Sequence, residues 1–85
     1  MRSQLPPQWA MSQSDLGDAL QEQGARSNGA MRIELLNQAV AAYQGALEVY
    51  TIEAFPFYHK KAAQSLNQAE ALLREANSEL SHGVK

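Results

Sequence analysis

The sequence predicts an all-α domain of three helices, and three observations carry that prediction. Apolar residues recur at spacings of three and four over most of the chain, and no stretch shows sustained strand-like alternation. Glycine and proline fall at a few places only, and these divide the chain into three segments. The 85 residues make one domain, residues 1–85, since domains run to ~100–200 residues. Helices are expected over about 8–23, 29–53 and 57–81.

The first helix lies between Pro6-Pro7 and Gly24. Proline suits a first helical turn because its missing N–H would be unpaired there anyway, and glycine suits the left-handed position past a helix end. Trp9, Leu16 and Leu20, with small Gly17 and Ala19, share one face, and Asp15, Asp18, Gln21 and Glu22 occupy the other. Gly24 to Gly29 reads as a loop, with Ser27 or Asn28 as the N-cap of the next helix.

The second helix carries the strongest pattern. Ile33, Leu36, Val40, Tyr43, Leu47, Tyr50 and Ala54 form one stripe, and Leu35, Ala39, Ala42, Ala46 and Val49 flank it. Together they are wider than a two-stranded coiled-coil seam, so this helix should touch two neighbours, with alanines where backbones approach. The residue before a proline disfavours helix, so Phe55-Pro56 should end it near Glu53. Restart on Pro56 or Phe57 gives a third helix with Ala62, Leu66, Ala69, Leu73, Ala76 and Leu80 on one face, ending near Ser81-His82-Gly83.

Composition removes several classes of function. The chain is 45% hydrophobic yet has no run of about 20 apolar residues, the length a membrane span requires. Nine acidic against seven basic side chains leave a net charge of −2, which argues against neutralising nucleic-acid phosphates. No cysteine is present, so disulfides and thiolate zinc sites are excluded. Residues 1–15 hold Arg2 but no continuous apolar run, so no signal peptide is read and the expected location is the cytoplasm. His59 and His82 stand far apart without a metal-binding pattern, and there is no glycine-rich phosphate loop or nucleophile elbow. Asp15 and Asp18 sit at i,i+3 on a polar face, where nothing separates their acidities for acid–base work. No enzyme, metal site or cofactor is therefore expected. Phe55, Phe57 and Tyr58 should staple the helix junction or, if exposed, mark a subunit contact.

Shifting the chain by fifty residues lays Leu5-Pro6 on Phe55-Pro56, Leu16 on Leu66 and Ala19 on Ala69, an internal echo. Leu16-Gly17-x-x-Leu20 and Ala39-x-x-x-Tyr43-x-x-Ala46-Leu47 resemble the two helices of the tetratricopeptide repeat, in a long bacterial variant with a repeat near fifty residues. The resemblance covers roughly Pro6 to Leu73 and departs from the family at Asn67, where glycine is expected. It implies an antiparallel helical hairpin capped by a third helix, of the right-handed α-α superhelix type. It also implies a non-catalytic module for protein–protein interaction or assembly.

By the same resemblance the ligand-facing positions are Met11, Ser14, Asp15, Asp18, Gln21 and Glu22, with Lys61, Gln64 and Gln68 opposite. The acidic first half favours a basic or neutral protein or peptide partner. Solenoid units bury their core against neighbours, so one and a half repeats should self-associate into a homo-oligomer. Leu35, Ala39, Val49, Phe55, Phe57 and Leu73 are expected at that contact. The alternatives are a three-helix, coiled-coil-like oligomerisation scaffold and a small-ligand helical bundle.

Overall fold

A computed structural model describes residues 7–84, with side chains described through Ser78. Leu5 and Pro6 of the internal echo, and the side chains of Leu80 and His82, lie outside the described residues. The chain forms α1 (Pro7–Ala25), α2 (Gly29–Val49) and α3 (Pro56–Val84). At about 1.5 Å per residue the 29 residues of α3 span about 44 Å, and α3 sets the long dimension of a 47 × 21 × 17 Å body. α2 lies in the middle: α1 packs along one side of it, α3 along another, and α1 and α3 meet only at their edges. The wide apolar face of α2 is thus served by two neighbours inside one chain.

Small residues decide how closely the helices approach. The buried residues of α1 are Ala10, Gly17 and Gly24, and those of α3 include Ala62, Ala69 and Ala76. Both rows repeat every seven residues, the spacing that keeps one line of a helix against a partner. A Cβ on Gly17 would lie 2.7 Å from the Tyr43 ring, and one on Gly24 would lie 3.1 Å from Leu36. From the other side, Gly45 makes room for Trp9, whose ring would stand 3.3 Å from an added Cβ. The core holds two clusters: Ala10, Ala46 and Tyr50 with Trp9, Val49 and Phe55, and Ala39, Tyr43 and Ala69 with Leu20, Val40 and Leu66.

Two expectations change at this level and a third is narrowed. Leu16 does not fill the α1–α2 interface; it is 47% exposed, because the seam runs through Gly17 and the neighbouring position turns away from it. Gly24 does not terminate α1 with a left-handed residue. It stays within the helix and is buried, and the positive φ belongs to Gly29 at +60° instead. Asn28 holds the N-cap position of α2 without a side-chain cap bond, while the Ser27 hydroxyl donates backwards to the Gln23 carbonyl at 2.9 Å.

α2 also ends four residues before the expected Glu53. Tyr50 leaves the helix at φ −81°, ψ 76°, with its N–H still donating to the Ala46 carbonyl. Its ring then stacks on Tyr58 (5.0 Å between centroids) and meets the edge of Phe55 at 5.3 Å. Thr51 holds the turn: its hydroxyl accepts from the Ala54 N–H at 3.2 Å and its carbonyl accepts from the Phe55 N–H at 2.8 Å. The Phe55 carbonyl then receives the His59 N–H at 2.8 Å, the first bond of α3, with Pro56 in the first turn. His59 completes the junction by donating from Nδ1 to the Tyr50 carbonyl at 2.9 Å, and because a carbonyl only accepts, Nδ1 carries the proton.

The seam at Gly17 sets a measurable constraint. Alanine in a helix interior is favoured over glycine by about 1 kcal/mol, whereas overpacking a tight contact costs about 1–3 kcal/mol. Gly17→Ala should therefore lower stability by up to about 2 kcal/mol net in urea denaturation. Gly29→Ala should cost about as much through backbone strain alone, since no atom lies within 4 Å of that added Cβ. A stabilised Gly17→Ala protein would contradict the close approach.

Candidate functional site

α1 and α3 run in the same direction on either side of α2, and a trough opens between them. Within it lies a cavity of about 240 Å³. Met11, Ser14, Asp15 and Asp18 line it from α1, Tyr43 and Tyr50 from α2, and Tyr58, Lys61, Ala62 and Ser65 from α3.

The floor follows from the seam. Gly17 lets the buried Tyr43 ring pass over the α1 backbone, and its hydroxyl emerges beside the next residue, donating to Asp18 Oδ1 at 2.5 Å. Gln21 Oε1 lies 3.3 Å from the same hydroxyl. The Gln21 amide in turn donates to Gln68 Oε1 at 3.2 Å, a polar bridge from α1 to α3 beside the cavity. One turn away, the Tyr50 hydroxyl donates to the Pro7 carbonyl at 3.3 Å. Burial pushes the Tyr43 phenol well above the usual tyrosine range, and the Asp18 bond and charge add to it, while a Ser65 hydrogen bond works the other way. Tyr50 is raised for the same leading reason, burial, with Tyr58 and the negative charge of Asp15 adding.

Of the residues expected to face a ligand, Met11, Ser14, Asp15, Asp18 and Lys61 line this cavity. Gln21 and Gln68 form the bridge beside it. Gln64 lies on a shallower surface beside Lys61, Ser65, Asn67 and Gln68. Glu22 is outside, paired with Arg26 at 3.2 Å on the exposed surface. Sequence reasoning placed Tyr43 and Tyr50 in the core and did not give them a second role at the floor, and it treated Tyr58 as a staple or a subunit contact. A signal was present: tyrosines at core positions of a stripe bury the ring but need a polar partner for the hydroxyl, so their tips must reach a polar groove.

The residues expected at a self-association contact are dispersed. Ala39 is fully buried within the chain against Tyr43 and Ala69, so it can make no contact with another copy. Val49 and Phe55 are half-buried against the Ala10–Ala46–Tyr50 cluster. Leu35 and Leu73 are half-buried, Leu35 beside Gly24, and Phe57 alone of the six is open, at 69% exposure. The physical reason is α3, which covers the flank of α2 that a second chain was expected to cover.

Among the described residues no group of three or more His, Cys, Asp or Glu is placed to hold a metal ion, and no helix is long and apolar enough to cross a membrane. No protein-family model matches the chain, and no curated protein or solved structure matches it either.

The Tyr43 hydroxyl gives a pH test with a definite sign. In an unfolded chain tyrosines ionise near pH ~10, whereas the folded chain holds the Tyr43 and Tyr50 protons to higher pH. Their contribution to stability is present in full below about pH 10 and is lost as pH rises through the folded values. Urea denaturation should show stability falling from about pH 10 upward. Tyr43→Phe should flatten that fall and lower stability at neutral pH by about 1 kcal/mol. An unchanged alkaline slope in Tyr43→Phe would assign the fall to other groups.

Proposed function

We propose that this chain is a non-catalytic protein-binding module that receives a segment of a partner protein in the trough between α1 and α3, in the manner of tetratricopeptide-type hairpins. One observation carries the reading: the cavity is lined from all three helices, and its floor is made of side chains fixed in the core. A volume of about 240 Å³ suits one side chain of a longer ligand. It falls below the ~300–1,000 Å³ of pockets that enclose whole small molecules, so a small-ligand bundle is the weaker reading. The order of packing, with α2 between α1 and α3, and the glycine and alanine seams also support the tetratricopeptide resemblance. Asp15 and Asp18 against Lys61 favour a basic or neutral segment. The proposed setting is the cytoplasm, because a chain without cysteine draws nothing from an oxidising compartment.

The test is selection of binding peptides from a display library on the intact chain. Peptides should be recovered that protect the trough, and Asp15→Lys with Asp18→Lys should weaken them about tenfold or more, the loss shrinking as salt is raised. Selected peptides unaffected by the reversal would place binding elsewhere.

A second reading, an oligomerisation scaffold, is favoured by the seven-residue repeat of the seams and by Phe57 and Ile52, 69% and 62% exposed around the α2–α3 turn. On that reading the chain sediments as an oligomer and Phe57→Ser converts it to a folded monomer. Sedimentation as a monomer at high concentration would leave the groove as the only proposed interface.

A further inference from the structure

Two surfaces other than the groove offer little. The exposed apolar residues Met31, Ile52 and Leu16 stand apart, on α2, the α2–α3 turn and α1. The polar surface around Gln64 and Asn67 belongs to α3 alone and offers a ligand one wall only. The cavity itself has a chemistry more specific than "protein-binding". Its α1 wall carries Asp15 and Asp18, and among the described residues neither carboxylate makes an ion pair, although Lys61 lines the same cavity. Its other wall is an aromatic slab: Tyr58 lies flat on Tyr50, 19° from parallel, and is 43% exposed. Two carboxylates with no ion pair among the described residues line one cavity with a tyrosine ring, a place where a planar cation can stack and donate at once.

We infer that the cavity receives the guanidinium of an arginine side chain from the partner segment, laid on Tyr58 and donating to Asp15 and Asp18. This rests on the groove being the binding surface. The geometry separates arginine from its competitors. A carboxylate or phosphate would face two like charges with one lysine to offset them. An apolar side chain would offer Asp15 no partner while shielding it from solvent. Lysine could pair with one carboxylate, but its compact ammonium has no plane to stack and no fork to span two acids. Asp18 is already oriented by the Tyr43 hydroxyl, whose proton it accepts on Oδ1, so one acid arrives pre-positioned while Asp15 is free to adjust.

The experiment titrates the full chain, labelled for NMR, with the blocked peptide acetyl-Ala-Leu-Arg-Leu-Ala-amide. The same peptide with citrulline in place of arginine serves as control, since citrulline keeps the shape and loses the charge. The arginine peptide should shift the amide signals around Asp15, Asp18, Tyr58 and Lys61. Citrulline should bind about tenfold more weakly, and Asp15→Asn should close most of that gap while leaving the spectrum otherwise folded. Asp15 is the better variant because Asp18 also serves Tyr43. Equal binding of the two peptides at the cavity would overturn the arginine assignment and leave the groove reading standing. Shifts confined to other surfaces, or none at millimolar peptide, would also overturn it, and the display selection then decides separately whether the groove binds a peptide at all.

Discussion

The structure turns on the missing side chain of Gly17. With no Cβ there, the Tyr43 ring lies against the α1 backbone at a distance no other residue allows. That single approach sets the α1–α2 spacing, fills the centre of the core and delivers a hydroxyl to Asp18. A phenylalanine would supply the same packing, and its burial would be worth about 1.5–3 kcal/mol, but it would deliver nothing to the trough. Tyrosine in its place makes the core and the candidate site one object: the ring belongs to the first and the hydroxyl to the second. Its cost is a buried polar group, which is offset because Asp18 accepts the bond.

Much of the fold was legible because its punctuation is strong. Proline at α1 and α3, glycine at the first loop and the two stripes of α2 fixed the number, order and extent of the helices to within a few residues. What sequence reasoning missed has two sources. Gly17 was read as a contact residue, but apolar size placed Leu16 beside it, while the seam continues through Ala10 and Gly24, residues whose value is what they omit. Hydrophobic pattern is blind to such contacts, since a glycine contributes no apolar area of its own. The end of α2 was missed for a different reason. Proline at 56 marks the latest possible stop, but Tyr50 stops the helix earlier by exchanging helical geometry for stacking with Tyr58 and Phe55. That exchange depends on residues that are distant until the chain has turned.

The polar positions of the groove were legible to the extent that a helix face is. Met11, Ser14, Asp15 and Asp18 share one face by spacing alone, and the structure puts them on one wall. Glu22 lies outside the cavity, on the exposed surface, where it pairs with Arg26. The opposite wall could not be placed as closely, since its register depends on where α3 begins, and that depends on the turn. The width of the α2 face was read correctly, since α1 and α3 both pack against it. Two apolar stripes require two neighbours, and a short chain can supply both when its third helix carries an alanine seam of its own. Ala62, Ala69 and Ala76 let α3 lie close against α2, and outward positions such as Lys60, Gln64, Asn67, Arg74 and Asn77 are polar.

This arrangement divides the control of the groove between two devices. Its floor is fixed by the Gly17–Tyr43–Asp18 contact, deep in the α1–α2 interface. Its mouth is fixed by the turn from Tyr50 to Phe55, through the Tyr50–Tyr58 stack and the His59 bond to the Tyr50 carbonyl. α1 and α3 themselves scarcely touch, apart from contacts such as the Gln21–Gln68 amide bridge. The trough is therefore an absence of packing held open by packing on both sides of α2. A helix pair that met directly would close it; a pair spaced by an intervening tyrosine row keeps it at the width of one side chain. Because the spacer residues are core residues, that width is held by the same contacts that hold the fold.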